Sequence, residues 1–273
     1  MFVEQPPERT SPELFGELRE HGVEVWVEAD QRLGLRMHEA HNFELACQLL
    51  SLLGHEVESL DLAYLEVADL EPLMYVRSVE ALDLSGTRAE LDGLRHLVRL
   101  RELSLAQTDL VSLAALGRLE SLERLDLHEA RAPLAGLSLL SELRELDLSR
   151  ASTRPRGFGL REGEGIELAS LEDLSALEVL DLSRTKVREW APIARLWTLR
   201  ELDLGYTNFA EIGLLAQHSK LEHLVLRRTA VVDLTPLIQL ESLKEVDVRD
   251  CELVDPASLA KLKRSRPRLR ILD

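Results

Sequence analysis

Leu177-Glu-Val-Leu180-Asp-Leu182-Ser-Arg-Thr185 is followed 22 residues later by Leu199-Arg-Glu-Leu202-Asp-Leu204-Gly-Tyr-Thr207, and 22 after that by Leu221-Glu-His-Leu224-Val-Leu226-Arg-Arg-Thr229. Written generally, the segment is LxxLxLxxT. With its fourth position as marker, close variants recur at Leu60, Leu82, Leu103, Leu125, Leu146, Leu180, Leu202, Leu224 and Val246, and a truncated tenth copy places Leu272 there. The steps are 22, 21, 22, 21, 34, 22, 22, 22 and 26 residues. A fixed period of this length marks a stack of like supersecondary units, each burying its apolar face only against its neighbours.

Leucines two apart, such as Leu202 and Leu204, share one face of a strand and make that face the core. Strands from successive repeats then pair in parallel. After each strand the apolar period lengthens to about three, as in Val187, Trp190, Ile193, Leu196 and Leu199. The short return path has room for a tight turn and a short helical or 3-10 piece. Thr235-Pro236 and Asp255-Pro256 read as capped helix starts. The column Thr87, Thr108, Thr185, Thr207 and Thr229 is expected to point inward, its hydroxyls bonding backbone groups of adjacent coils; Ala130, Ala151 and Cys251 fill the same slot.

This pattern resembles the leucine-rich repeat family, in particular its short 22-residue bacterial class with LDLSxT strands, similar to the repeats of internalins. The resemblance covers about Val57 to Asp273. It implies an α/β solenoid: a curved right-handed coil with a parallel concave sheet, short helical or 3-10 convex segments and a protein-binding role. The secretion and wall-anchoring signals of internalins have no counterpart here, so their extracellular role is not carried over.

The expected division is an N-terminal α/β module over 1–56 and about ten repeats over 57–273, with an insertion near 153–164 and a C-terminal cap over 253–273. In the first part, Ser11-Pro12 opens a helix that stops at Gly22. Val23–Glu28 and Arg32–Met37 alternate as strands around a turn at Ala29-Asp30-Gln31. Asn42 then caps a second helix, Phe43 to Leu53, closed by Gly54. One reading makes this α-β-β-α unit a cap over the edge of the first repeat. The other makes it a docking module, since Glu17 to Met37 resembles the N-terminal docking domains of peptide-synthesising megasynthases. At the other end, the basic run from Lys261 to Arg268 reads as part of a closing cap, against a nucleic-acid tail.

The net charge of −16 argues against general binding to nucleic acid or to an anionic membrane, because phosphate neutralisation needs clustered Lys and Arg. No apolar run approaches a membrane span, and the first residues carry no apolar signal core. Cys47 and Cys251 are too few and too far apart for a disulfide framework, which suits a reducing cytoplasm.

The residues offer little catalytic chemistry. His38-Glu-Ala-His41 lacks the i, i+4 histidine spacing of a helical zinc site, and a solvated loop is its plainer reading. Gly157, Gly159, Gly163 and Gly165 fall in the insertion without the Lys-Ser/Thr of a phosphate cradle. No catalytic residue, cofactor or metal is assigned.

Between the core leucines the concave face carries Asp61, Asp83, Asp126, Asp147, Asp181, Asp203 and Asp247, with Ser104 and Val225 interrupting. The second position alternates in sign through Glu80, Arg101, Glu123, Arg144, Glu178, Arg200, Glu222 and Lys244, and the third partly follows with Glu102, Arg124 and Glu145. Opposite charges on adjacent strands pair. The face therefore reads as solvated and internally compensated, with cation binding and recognition of a basic partner as alternatives for Asp126, Asp147, Asp181 and Asp203.

Two features stand apart from repeat filler. The strand exits bring Arg150, Arg184, Tyr206 and Arg228 to the eighth position, with Arg227 and Arg249 at the seventh. The insertion carries Arg154, Arg156, Phe158 and Arg161, and insertions in repeat proteins often lie on the binding face; the alternative is a loop tolerated at little entropic cost. Arg and Tyr dominate binding hot spots.

The expected function is therefore a monomeric, non-enzymatic, cytoplasmic scaffold that binds another protein, of basic or mixed charge, on its concave face and inserted loop. The alternatives are a docking or targeting subunit of a megasynthase or signalling assembly, and the targeting arm of an effector.

Overall fold

A computed structural model describes residues 11–27, 33–52, 57–153 and 165–273. Twelve strands form one sheet in strict chain order. They are β1 (Val23–Val27), β2 (Leu33–Met37), β3 (Val57–Asp61), β4 (Ala81–Asp83), β5 (Glu102–Ser104), β6 (Arg124–Asp126), β7 (Glu145–Asp147), β8 (Val179–Asp181), β9 (Glu201–Asp203), β10 (His223–Val225), β11 (Glu245–Asp247) and β12 (Arg270–Leu272). Only β1 and β2 pair antiparallel; every later neighbour is parallel. Three-residue strands cannot stand alone. Those from β4 to β11 persist because each is hydrogen-bonded on both sides and its repeat buries its core leucines fully, as at Leu202 and Leu204.

The marker leucines stay in register from Leu60 paired with Leu82 to Leu224 paired with Val246. The last strand departs from the sequence expectation: Val246 pairs with Ile271, and Leu272 lies beside Asp247. The return path there is a true helix, α3 (Pro256–Ser265), with Asp255 accepting from the Ala257 and Ser258 N–H groups at 3.1 Å. This helix takes the place of the 3-10 turn of the other repeats, and the chain re-enters the sheet with Ile271 in the marker position.

Elsewhere the connections are 3-10, from Glu71–Tyr75 to Thr235–Gln239. At the last of these, Asp233 and not Thr235 supplies the cap, its Oδ1 accepting the Thr235 N–H at 2.8 Å. At the N-terminal end α1 (Ser11–Glu20) and α2 (Phe43–Ser51) flank β1 and β2. Asn42 makes no side-chain cap; a 3-10 turn, Ala40–Asn42, runs directly into α2. The turn expected at Ala29–Gln31 and the stop at Gly54 lie outside the described residues.

One apolar core runs from Leu14 to Leu269. It includes Trp190 and Phe209, whose rings meet edge to face at 5.0 Å. It is interrupted at His218, which fills the slot that Leu196 and Leu240 hold in the neighbouring coils. His218 is fully buried, its ring nitrogens 3.2 Å and 3.1 Å from the Leu215 and Ile193 carbonyl oxygens, and burial holds its pKa below the ordinary histidine value. In the threonine column, Thr87, Thr207 and Thr229 donate to the last core leucine carbonyl of their own coil, and Thr108 does the same. Only Thr185 and Cys251 reach the preceding coil, at Leu148 O and Leu226 O.

Candidate functional site

The open face of the sheet is built from the third and fifth positions of each repeat, since the first, fourth and sixth point into the core. Over β3 to β8 it forms a groove of about 590 Å³ with Ser59, Ala81 and Val179 as small or apolar wall residues and Asp83, Asp126, Asp147 and Asp181 along one side. Across its middle, Arg124 sits between Glu102 at 3.3 Å and Glu145 at 3.0 Å.

The aspartates have a local duty that charge counting missed. In all seven repeats that carry one, its Oδ1 accepts the backbone N–H two residues on: Ala63 for Asp61, Ser85 for Asp83, His128 for Asp126, Ser149 for Asp147, Ser183 for Asp181, Gly205 for Asp203 and Arg249 for Asp247. This closure pulls the chain off the strand into a turn. The turn then places the eighth position in the left-handed region. All eight non-glycine residues with positive φ among the described residues lie there, from Tyr64 at 61° to Asp250 at 58°, and Gly86 at 69° completes the column. Each such residue costs on the order of 1 kcal/mol relative to a glycine.

The alternating second-position charges do pair, as expected. Arg144 meets Glu178 at 2.9 Å, Arg200 bridges Glu178 at 3.3 Å and Glu222 at 2.9 Å, and Lys244 also holds Glu222. These ions satisfy one another. They do not neutralise the aspartate column, so the expectation of a compensated face needs correction there. Asp61 has Arg36 at 2.6 Å and Asp247 has Arg249 at 2.6 Å, which holds Asp247 below the ordinary carboxylate range. Between them, burial pushes Asp203 up to about 6; the carboxylates of Asp181, Asp247 and Asp147 add to the shift, and the Gly205 N–H opposes it. Asp181 is raised as well, first by burial.

A pH dependence follows. Because Asp203 binds a proton more readily folded than unfolded, its contribution is present below about pH 4 and lost as pH rises through about 6. Asp203→Asn keeps the acceptor for Gly205 and removes the charge. At pH 7.5 it is expected to stabilise the protein by up to about 1 kcal/mol after solvent screening, whereas Asp203→Ala loses the turn bond and costs about 1 kcal/mol. The advantage of Asn over wild type should shrink as the melting measurement is moved to pH 5. An Asn variant that melts below wild type at pH 7.5 would refute this electrostatic account.

At the strand exits, Arg184, Arg227 and Arg228 gather on the Tyr206 ring, their guanidinium carbons 4.1, 5.6 and 5.5 Å from its centroid. Arg227 is also held by Asp250 at 2.8 Å. Arg150, expected in the same column, turns away to Glu129 at 2.8 Å. Tyr64, at the far end, lies over Gly86, where an added Cβ would sit 2.4 Å from its ring, and its hydroxyl donates to Gln107 Oε1 at 3.2 Å. Arg154, Arg156, Phe158 and Arg161 lie outside the described residues. The chain enters and leaves that segment beside the exits, through Ser152 bridged to Arg131 and Ile166 bridged to Val187.

His38 pairs with Glu24 and His41 with Glu39. Among the described residues, no three His, Cys, Asp or Glu side chains converge as metal ligands, and no helix is long and apolar enough to cross a membrane.

No family model and no curated protein matches the chain. Solved structures do. Internalin C2 of Listeria monocytogenes is 22% identical with a TM-score of 0.56, covering 74% of this chain and 82% of its own. A leucine-rich repeat protein of Leptospira interrogans is 21% identical with a TM-score of 0.61; the match covers 82% of this chain and 62% of that one. The leucine-rich repeat ectodomain of the Arabidopsis receptor kinase HAESA, solved with a peptide hormone, is 17% identical with a TM-score of 0.60, and 44% of its length is spanned. Together with the repeat register, these likenesses establish that the chain has the leucine-rich repeat fold.

Proposed function

We propose that this chain is a non-enzymatic protein-interaction scaffold that takes its partner on the open face of the sheet and along the strand exits. The observation that carries the reading is the left-handed column. Eight of its nine residues bear side chains where glycine would be cheaper, and that repeated cost fits a surface whose side chains are needed for contact. The adjoining groove offers the concave, partly apolar complement. Structural relatives include a receptor ectodomain solved with a peptide, which is consistent with this use of the fold.

In the same proposal residues 1–56 act as a cap, a role supported by β2, which covers the outer edge of β3 with backbone hydrogen bonds. A monomer in a reducing cytoplasm fits the two free thiols; burial pushes that of Cys47 up to about 12, far from a reactive thiolate.

The test is Ala81→Arg, which fills the groove from its wall without touching the core, set against Val111→Arg on a residue 95% exposed elsewhere on the surface. Captured partner from the source cell, measured by quantitative mass spectrometry, is expected to fall at least about tenfold with the first and to be unchanged with the second. Equal capture by both variants, each folded, would overturn the assignment of the open face.

A further inference from the structure

The guanidinium groups of the open face and its exits are nearly all spoken for. Arg124 lies between two glutamates, Arg200 between two more, Arg150 on Glu129 and Arg227 on Asp250. Arg184 and Arg228 are the exceptions: among the described residues neither has a carboxylate partner, and both lean on Tyr206. On a chain of net charge −16, two cations without a carboxylate partner beside one aromatic ring form a local site where an anion is attracted.

The ring anchors both guanidinium groups by cation–π attraction. A guanidinium is a planar fork of N–H donors that matches a carboxylate in bidentate fashion. Contact with the ring also removes part of the conformational freedom a long side chain would otherwise lose on binding. Arg184 and Arg228 stand on alternate repeats with Tyr206 between, so their backbones are roughly 10 Å apart at the usual strand spacing. A single monoanion leaves one of the two positive charges unmatched. Two carboxylates borne by residues i and i+2 of an extended segment, about 7 Å apart along the backbone with flexible side chains to add reach, meet both.

Resting on the protein-binding reading above, we propose that the Arg184–Tyr206–Arg228 cluster is the docking site for an extended acidic segment of the partner, one carboxylate on each free guanidinium. The surroundings favour singly charged carboxylates over a phosphate dianion. Asp250 and Asp247 already occupy Arg227 and Arg249, and the Asp181 and Asp203 carboxylates lie on the adjoining strands, so each added charge beyond one per arginine meets repulsion. The same negative surround screens the cluster from long acidic runs and selects a short one.

The test uses the full chain and four fluorescein-labelled peptides read by anisotropy: Asp alternating with Ser, the same with Asn for Asp, a Ser/Gly peptide bearing one phosphoserine, and Lys alternating with Ser. The Asp peptide is expected to bind best and to weaken with added salt. The double variant Arg184→Gln with Arg228→Gln should lose at least about tenfold in affinity for it, while Arg118→Gln, in the exposed part of the 3-10 turn Ala114–Arg118, should not change it. Glutamine is safe at Arg184 and Arg228, since Gln107 holds the same repeat position with φ of 58° in another repeat, and a melting curve confirms that each variant is folded. Equal binding of the Asp and Asn peptides, tighter binding of the phosphopeptide, or an unaffected folded double variant would each overturn the acidic assignment. Preferred binding of the Lys or Asn peptide, abolished by Ala81→Arg, would overturn it while leaving the protein-binding reading intact. No binding of any peptide, together with no captured partner, would overturn both.

Discussion

Leu204→Asp is expected to destabilise the protein by at least about 4 kcal/mol, lowering its melting temperature by about 10 °C or more. Leu204 is fully buried at the sixth position of its repeat, directly after β9, and its counterparts in the neighbouring repeats, Leu182 and Leu226, are fully buried as well. A carboxylate there has no cation to meet and no water to reach. The control is Val225→Asp, one strand on and one position earlier in the repeat. Val225 stands where seven other repeats carry aspartate, facing the open side, and its backbone N–H two residues on would find the same turn acceptor. The added charge would sit between Asp203 and Asp247, so a cost on the order of 1 kcal/mol is expected from repulsion. Thermal melts of the two variants side by side test the register itself: a loss for Val225→Asp as large as that for Leu204→Asp would refute it, and a larger one would mean that the two faces have been exchanged.

That register was legible because leucine at a spacing of two, repeated every 21 or 22 residues, has one solution. Any slip by one residue would turn the whole set to solvent. The exception is instructive. At β12 the sequence Leu269-Arg-Ile-Leu272 fits the pattern in two frames, and Leu272 completes LxxL in one while Ile271 pairs with Val246 in the other. The charged ladder was legible too, because pairing of opposite signs on neighbouring strands needs only the order of the strands.

The turn at the strand exit was not. Its two signals were on the page: an aspartate two residues before a small or polar residue, and one glycine, Gly86, in a column otherwise filled by Arg, Tyr, Gln, Glu and Asp. A carboxylate on an outward face invites an electrostatic reading, and the backbone N–H it captures is invisible until the chain bends. The Arg–Tyr column itself was visible as a list of residues, but which arginines stay unpaired depends on side-chain reach. Arg150 and Arg184 occupy equivalent positions with φ of 55° and 58°, yet one finds Glu129 and the other finds Tyr206. Repeat position alone cannot distinguish them.

Gly93→Ala and Gly213→Ala make the same point about close packing, with opposite signs expected from one substitution. Both glycines stand six residues after the threonine of their repeat, within a 3-10 turn, and neither has positive φ. Replacing glycine with alanine at such a site ordinarily stabilises by about 0.5–1 kcal/mol, because the unfolded chain loses freedom. At Gly213 a new Cβ meets nothing within 4 Å, so that gain should appear in full. At Gly93 the same atom would lie 2.3 Å from both the carbonyl carbon and the oxygen of Leu70, and 2.6 Å from its Cβ. Leu70 is itself fully buried and leads into the Glu71–Tyr75 turn, so the obstacle is backbone fixed by its own packing and cannot rotate aside. The two coils would have to separate, at a cost of about 2–3 kcal/mol that outweighs the entropic gain. Because coils in a solenoid touch only their neighbours, the loss at Gly93 should appear in hydrogen exchange first at the 3-10 turns Glu71–Tyr75 and Leu91–His96, leaving β9 to β11 protected. A Gly93→Ala protein that melts at or above the wild-type temperature would show that the coils can give way there, and that the tight approach of the two turns is not what fixes their spacing.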